Sequence, residues 1–185
     1  IGNITTAHPL AVFSDFFVDT IRGIPMLVII LYVGLPLAGA VKSATSGYLD
    51  MAMMTRGIIA IAIGYSAYMA EIFRAGIEAV PKGQIEAART LGLREWHIAR
   101  LIVIPQAIAI VLPALGNEFI AMLKDTSLVS ILSVRDLTQR MREFQAQSFL
   151  AFEPFNSAAL IYVVLTILAA SGIKALDNIV NKSRG

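Results

Sequence analysis

The chain has 185 residues, of which 57% belong to the hydrophobic set and 15% are charged, and its mean hydropathy is +0.72. A soluble domain this apolar would expose large hydrophobic patches, and disordered chains are poor in apolar residues. Both classes are therefore excluded, and the composition predicts an integral membrane protein. The net charge of +2 is too small to form the basic face that nucleic-acid binding requires, so no nucleic-acid partner is expected.

The hydrophobic blocks follow one another in chain order, and a spanning helix needs about 20 apolar residues. The blocks 23–41 and 154–173 carry no charge and meet this length. The block 57–70 alone is short enough for a buried core helix, but the composition leaves no soluble domain to hold such a core. We therefore predict an all-α membrane protein with four spanning helices, at about residues 12–40, 51–77, 98–123 and 154–178.

Several kinds of chemistry are absent from the sequence. The chain has no cysteine and only two histidines, which excludes thiolate metal sites and cysteine nucleophiles and disfavours a histidine cluster. No Gly-x-x-x-x-Gly-Lys-Ser/Thr segment occurs, so the chain has no phosphate-binding loop for ATP. An intramembrane enzyme would need a Ser/His, paired Asp or metal group, and none is recognised. We predict no enzyme activity, no catalytic residue and no metal site.

A polar loop separates the second and third blocks. Pro81 and Gly83 open it, and residues 84–91 are good helix formers. Gly92 stands where the end of a helix favours a positive φ. The loop therefore predicts a short helix over 82–92, which would be marginal alone in water and needs contacts to hold it.

The same loop carries a spaced motif. Residues 86–88 read Glu-Ala-Ala, Gly92 follows after three residues, and Ile102 and the pair Ile104-Pro105 come at set intervals. This pattern resembles the EAA loop of bacterial ABC importer permeases, with Ile104 where leucine is usual. The flanking segments are similar to the polar, general L-amino-acid branch of that family; they are Arg22–Pro25, Ala67–Gly76, Pro105–Ala107 and Lys124–Ser130.

The resemblance covers about residues 15–180 and implies a fold and a role. It implies that 1–185 is one permease domain of the type I importer fold, with 82–92 as a cytoplasmic coupling helix that docks on a separate ATPase subunit. Small alanines would permit close approach, and Glu86 and Arg89 would make charged contacts; without the resemblance, simple solvation explains both charges equally well. The implied docking residues are Gln84, Glu86, Ala87, Ala88, Arg89, Leu91 and Gly92.

The resemblance also implies partners. They are an ABC ATPase dimer that binds ATP and Mg, an extracytoplasmic amino-acid-binding protein, a second permease subunit, identical or different, membrane lipid and an L-amino-acid substrate. No cofactor is expected on this chain itself. Permeases of this branch carry a further helix before the Arg-Gly-x-Pro segment, for which residues 1–11 are too short, so we expect that helix to be truncated or to lie outside the given chain.

Polar residues near the end of the third block suggest a substrate pathway, because ionisable groups at membrane depth are costly and usually functional. Carboxylates suit the ammonium group of an amino acid, and amides, hydroxyls or a cation suit its carboxylate. The predicted pathway residues are Asn117, Glu118, Lys124, Asp125, Thr126 and Ser127, with Ser66 and Tyr68.

Simpler readings of these residues stay open. Lys124 and Asp125 can mark the membrane exit, and helix packing explains Ser66 and Tyr68 equally well. For Glu71 and Arg74, three residues apart, an ion pair is favoured. An ion-coupled secondary transporter could use the same carboxylates, but four helices without an inverted repeat argue against it.

Positive charge predicts the orientation. Nine of the fifteen Lys and Arg residues fall on the side that holds the 74–100 segment and the C-terminus. We expect that side to be cytoplasmic, the residues 124–153 to form an amphipathic segment on the outer side, and the protein to span the bacterial inner membrane several times.

Overall fold

The computed structural model describes the backbone of residues 9–182 and the side chains of residues 12–178. Across that range it contains helices and turns and no strand, which confirms the all-α prediction. Residues 1–8 and 183–185 fall outside the described part. Two predictions fall on residues outside the described part. They are the further helix expected at the start of the chain and the cytoplasmic C-terminus.

The helices follow one another with short connections. α1, α2 and α3 are Pro9–Gly23, Met26–Tyr32 and Ala38–Ala44, and the π-helical turn Val33–Leu37 joins α2 to α3. α4, α5 and α6 are Met53–Glu78, Lys82–Thr90 and Glu95–Ile98. α7 is Ile104–Asp125, which follows the π-helical turn Ala99–Val103 and continues as the 3-10 helix Thr126–Leu132. α8 and α9 are Leu137–Ser148 and Glu153–Lys182.

Four helical stretches in the described part are long and apolar enough to cross a membrane. They are Met26–Ala44, Met53–Glu78, Glu95–Leu132 and Glu153–Asn178. The prediction of four spans is therefore confirmed.

The first span begins later than its expected bounds of 12–40. α1 ends at Gly23, and Pro25 precedes α2 with an extended backbone, φ −56° and ψ 137°. Proline donates no backbone N–H and disfavours helical geometry in the residue before it. The apolar run is therefore broken at Ile24–Pro25, and α1 is a separate helix ahead of the span.

The expected outer segment 124–153 is divided in the structure. Its first part, Thr126–Leu132, continues the third span as a 3-10 helix in which Val129, Ser130 and Leu132 are buried. Its second part contains α8, a mostly polar helix with no buried residue. The apolar side chains at 128–132 account for the difference, because they pack into a core instead of lying on a surface.

Contacts divide the chain into two compact units, and unit 1 consists of Ile1–Ala70 and Asp125–Phe144. Its core joins the first two spans to the 3-10 helix; the buried residues are Ile29, Ile30, Val33, Ala60, Val129, Leu132 and Val134. Gly34 makes this packing possible, since a Cβ there would lie only 2.6 Å from a methyl carbon of Leu132. The 3-10 helix thus belongs to the interior of unit 1.

Unit 2 consists of Glu71–Lys124 and Gln145–Gly185. Two of its glycines allow close helix approach: a Cβ at Gly76 would overlap Val111, and a Cβ at Gly116 would overlap Ile173. The π-helical turn before α7 ends two residues ahead of Pro105, whose missing N–H removes the ordinary helical bond there.

Alanine at Gly76 or Gly116 is expected to destabilise the protein. The added carbon must displace Val111 or Ile173 in a packed interior, which costs about 1–3 kcal/mol. Gly172→Ala is the matched control, because its Cβ would meet nothing within 4 Å in α9 and alanine favours a helix. Thermal melting of the purified protein checks this, and equal melting of all three variants would contradict the packing described.

Arg56 ties the start of α4 to the first span. Its guanidinium donates to the carbonyl oxygens of Met51 at 2.8 Å and Gly34 at 3.1 Å, and to the carboxylate of Asp50 at 3.1 Å. Lys42 also donates to Asp50, at 2.6 Å, and this hydrogen bond lowers the pKa of the Asp50 carboxyl. Only 12% of the Arg56 side chain is exposed, against 49% for Lys42.

Arg56→Ala is therefore expected to lower the free energy of unfolding by about 1–3 kcal/mol, because two backbone carbonyls lose a charged donor. Lys42→Ala should leave the melting temperature nearly unchanged, since exposed ion pairs contribute little. Melting curves of both variants test this difference. A larger effect of Lys42→Ala would show that the turn before α4 depends on the exposed ion pair between Lys42 and Asp50 instead.

Candidate functional site

The loop between the second and third spans contains the predicted short helix. α5 begins after Pro81 and ends at Thr90, close to the expected range of 82–92. Gly92 has φ +77°, its N–H donates to the carbonyl of Arg89, and the N–H of Leu93 donates to the carbonyl of Ala88. These two bonds form a Schellman cap, which satisfies carbonyls at the helix end. Gly92 thus ends α5 as predicted.

The docking residues expected on α5 divide into two faces. Ala88 is buried within this chain, with 3% of its surface exposed. The exposed face carries the Glu86 carboxylate, opposite Ala88, and the Ala87 methyl group, which lies between the two round the helix. Leu91, beyond the helix end, is 81% exposed.

Two side-chain contacts attach α5 to neighbouring elements of unit 2. Gln106 on α7 donates to the side-chain oxygen of Gln84 at 2.7 Å. Arg89 donates to both carboxylate oxygens of Glu95, at 2.7 and 3.1 Å. The hydrogen bond that Arg89 donates to Glu95 raises the pKa of the Arg89 guanidinium, which stays a cation. Arg89, predicted to contact a partner, thus has an acidic partner inside its own chain.

Unit 1 contains a connected group of aromatic and charged side chains. The hydroxyl of Tyr65 donates to Asp125 at 2.9 Å, and the Tyr65 ring lies 5.9 Å from the ring of Tyr68. The guanidinium of Arg22 lies 5.9 Å over the Tyr68 ring, within the range of a cation–π contact. Tyr65 is only 5% exposed. A half-buried carboxylate therefore stands at the end of an apolar helix, held by a buried hydroxyl.

Of the predicted pathway residues in unit 1, the structure brings Asp125 and Tyr68 into this group through Tyr65. The hydroxyl of Ser66 donates to the carbonyl of Ile63 in its own helix, at 2.7 Å, and the residue is exposed. Thr126 and Ser127 begin the 3-10 helix; Thr126 is exposed and Ser127 half-buried.

The predicted pathway residues in unit 2 lie on α7. Asn117 and Lys124 are exposed and Glu118 is half-buried. Glu71 and Arg74 form the expected ion pair, with 3.5 Å between nitrogen and oxygen. Within residues 9–182, no group of three or more acidic or histidine side chains is placed to hold a metal.

Tyr65 is the member of this group that the sequence analysis did not predict. It sits one helical turn before Tyr68, but its partner Asp125 is 60 residues away. The only local signal is that its neighbours along α4 are small residues, which let a long side chain reach across to another element.

Comparison with known proteins places these features in a family. Residues 8–182 match the family described as binding-protein-dependent transport system inner membrane component. The chain is 36% identical over 182 residues to the probable glutamine ABC transporter permease protein GlnM of Bacillus subtilis, covering 97% of this chain and 80% of that protein. It is 32% identical over 161 residues to the arginine ABC transporter permease protein ArtQ of Haemophilus influenzae, covering 87% and 73%.

Solved structures agree with the sequence relatives. An amino acid ABC transporter solved with histidines aligns with a TM-score of 0.84 and 38% identity, covering 95% of this chain and 78% of that one. An inward-facing MetNI methionine ABC transporter aligns with a TM-score of 0.76 and 18% identity, covering 97% and 79%, and shows the fold alone. The chain therefore belongs to the binding-protein-dependent transport system inner membrane components, the permease subunits of ABC transporters.

Proposed function

We propose that the chain forms part of the membrane pathway of an ATP-driven amino-acid importer. The observation that carries the proposal is α5: a capped, exposed helix with the EAA spacing, attached to the base of a membrane span. The naming of its relatives as glutamine and arginine permeases supports an L-amino-acid substrate. Because the chain has no phosphate-binding loop of its own, ATP and Mg bind to a partner ATPase dimer.

α5 docks on that ATPase through its exposed face. Glu86 supplies a charge for the contact, and Ala87 lets the partner approach closely. Leu91 adds an apolar anchor, because exposed apolar side chains often mark protein interfaces. Gln84 and Gly92 flank this surface. Ala88 is buried within the chain, and Arg89, which is exposed, pairs with Glu95; both set the position of the helix.

Asp125, supported by Tyr65, binds the ammonium group of the substrate on its way through unit 1. A carboxylate in a membrane span is costly unless it is paired, and a passing cation supplies the missing charge. Asn117, Glu118, Lys124, Thr126 and Ser127 remain our candidates for other polar groups along the pathway. Tyr68 takes part through its contacts with Tyr65 and Arg22.

The pathway works by alternating access. A binding protein delivers the amino acid on the outer side, and a second permease subunit forms the other half of the pathway within the lipid. Closure of the ATPase dimer moves the α5 helices and turns the cavity outward; hydrolysis returns it inward. The ligands select between these states by their different affinities for each. The α5 loop and the C-terminus face the cytoplasm.

Uptake by proteoliposomes tests this proposal. The chain is reconstituted with its ATPase subunit, with the binding protein outside and ATP inside, and labelled glutamine, arginine and histidine are offered in turn. We expect uptake of at least one of them only when ATP and the ATPase are both present. Uptake that persists under a sodium or proton gradient without either would contradict the proposal and favour an ion-coupled transporter.

A further inference from the structure

An apolar groove runs along unit 2 between α4 and α7. This α4–α7 groove has a volume of about 200 Å³, and each residue that lines it is apolar. Ala107 and Val111 are buried at its base, with 6% and 5% of their surface exposed. Its two sides consist of exposed side chains from both helices, which are Phe73, Ile77, Ile104 and Ile108. The groove is therefore a concave surface and more than an exposed helix face.

The α4–α7 groove is about as long as one leaflet of a bilayer is deep. The lining residues on α7 run from Ile104 to Leu115, which is about 16 Å along a helix. The hydrocarbon core of a bilayer is about 30 Å thick, so one leaflet takes about half of that. The groove also starts near one end of an apolar run, because residues 101–117 carry no charge and Arg100 precedes them. Its position and length therefore fit an acyl chain in a single leaflet.

The π-helical turn Ala99–Val103 brings two further side chains into line with the groove. An α-helix completes a turn in about 3.6 residues, and a π-helical turn takes about one residue more. Steps of four residues through this stretch nearly complete whole turns, so Trp96, Arg100 and Ile104 lie on one side of the helix. Trp96 is 66% exposed, and Arg100 is also exposed. The end of the groove nearest the α5 loop therefore carries an indole ring and a guanidinium.

Arg100 supplies the charge at that end of the groove. Among the side chains of residues 12–178 it pairs with no carboxylate, whereas Arg89 in the same loop pairs with Glu95. The charged residues of α4 nearest the groove lie on another side of that helix, about 80° or more from the line of Phe73 and Ile77. They are Glu71, Arg74 and Glu78. The groove end is therefore open to a negatively charged group.

These features match a phospholipid better than a protein segment. A guanidinium binds phosphate oxygens through two parallel N–H donors, and tryptophan favours the headgroup level of a bilayer. An acyl chain is apolar over its whole length, as the groove is. A protein helix is about 10 Å wide with its side chains and would exceed the volume of the groove several times over the same length.

We propose that the α4–α7 groove, with Arg100 and Trp96, is a binding site for one anionic phospholipid such as a phosphatidylglycerol. The Arg100 guanidinium binds the phosphate, the Trp96 indole lies beside the headgroup, and one acyl chain fills the groove. The lipid belongs to the leaflet on the side of the α5 loop. A net negative headgroup is preferred because Arg100 is a cation, and a zwitterionic headgroup would bring a second cation to the same place.

Quenching of tryptophan fluorescence by brominated lipids tests this site, because Trp96 is the one tryptophan of the chain. The full chain is reconstituted in phosphatidylcholine vesicles that contain a rising fraction of brominated phosphatidylglycerol or, separately, of brominated phosphatidylcholine. The bromine atoms are placed on the acyl chains close to the headgroup. From the quenching curves we expect phosphatidylglycerol to bind about fivefold more tightly, which is the effect of one basic residue near an anionic surface.

Two arginine variants show where this preference arises. Arg100→Gln should abolish it, so that both brominated lipids quench equally. Arg94→Gln is the matched control and should keep the preference, because Arg94 is exposed in the same loop but precedes α6. Equal quenching by the two lipids in the wild-type chain would overturn the inference, since it would indicate ordinary surrounding lipid. A preference that survives Arg100→Gln, or that both variants lose alike, would also overturn it.

A second reporter tests whether the acyl chain lies in the groove. In a Trp96→Phe chain, Ile108→Trp places the one tryptophan beside the groove, and Ile110→Trp places it on another side of α7 at nearly the same depth. The two isoleucines are similarly exposed, at 53% and 45%. With bromine atoms deeper in the acyl chains, phosphatidylglycerol should quench position 108 more strongly than phosphatidylcholine does, and position 110 should show no such preference.

Two results of the second experiment would overturn the inference. If neither lipid quenches the tryptophan at position 108, a second copy of the chain or another protein segment covers the groove. If positions 108 and 110 show the same preference, anionic lipid collects round α7 without occupying the groove.

Discussion

Glu86→Lys is expected to reduce ATP-driven uptake by about thirtyfold or more, which is the effect of losing a charge paired across an interface. The Glu86 carboxylate lies on the exposed face of α5, where the proposed ATPase contact needs an acidic group. Reversing its charge places a cation opposite the partner's own cation and weakens docking. Uptake and pull-down of the ATPase by the permease are the measurements.

Glu78→Lys is the matched control for this variant. Glu78 ends α4 in the same loop region and is also exposed, but it lies outside α5. Its reversal should leave both uptake and ATPase binding close to wild type. If the two variants are equally impaired, the general charge of the loop matters, and the specific docking role of Glu86 is contradicted.

Asp125→Asn is expected to lower amino-acid uptake by about tenfold or more, because the contact between its half-buried carboxylate and the substrate's ammonium group is lost. The amide keeps the shape of the side chain but cannot neutralise the ammonium group. Initial uptake rates over a range of substrate concentrations separate weaker substrate binding from slower turnover. Expression and melting of the variant show whether the fold survives.

Tyr65→Phe removes only the hydroxyl that donates to Asp125, so its effect should be smaller, about twofold to tenfold. If Tyr65 acts through Asp125, the double variant should be no worse than Asp125→Asn alone. Ser66→Ala is the control, since the Ser66 hydroxyl is bonded within its own helix and should not affect uptake. Additive losses in the double variant would assign Tyr65 an independent role.

The features that the sequence predicts well are local ones. Gly92 ends α5 with a positive φ, a conformation that glycine adopts easily. The helix-forming residues 84–91 before it predict that a helix ends there. The apolar blocks likewise predict four spans, since length and composition alone decide whether a helix can cross a membrane.

The break before the first span could also be predicted locally. The uncharged run from 23 to 41 suggests one continuous helix, but Pro25 interrupts it. Proline can stand at the start of a helix but not inside one without loss of a bond. The first span therefore begins after Pro25, although the apolar run begins before it.

Partners across long sequence separations could not be predicted. Helix spacing pairs side chains three or four residues apart, whereas Arg89 meets Glu95 six residues later, beyond the turn at Gly92. Tyr65 and Asp125 are 60 residues apart and meet only because the 3-10 helix packs into unit 1. Such pairs depend on tertiary packing, which no local pattern encodes.

Thiol protection tests most directly whether the driving ATPase docks on the exposed face of α5. Ala87→Cys introduces the only cysteine of the chain, on that face, and Tyr48→Cys introduces one in another loop, at a residue 91% exposed. Maleimide labelling rates are measured with and without the ATPase subunit. We predict that the ATPase slows labelling at position 87 by more than tenfold, because a residue at the centre of an interface is shielded from solvent. The labelling rate at position 48 should not change. Equal labelling of position 87 in both conditions would contradict docking at α5.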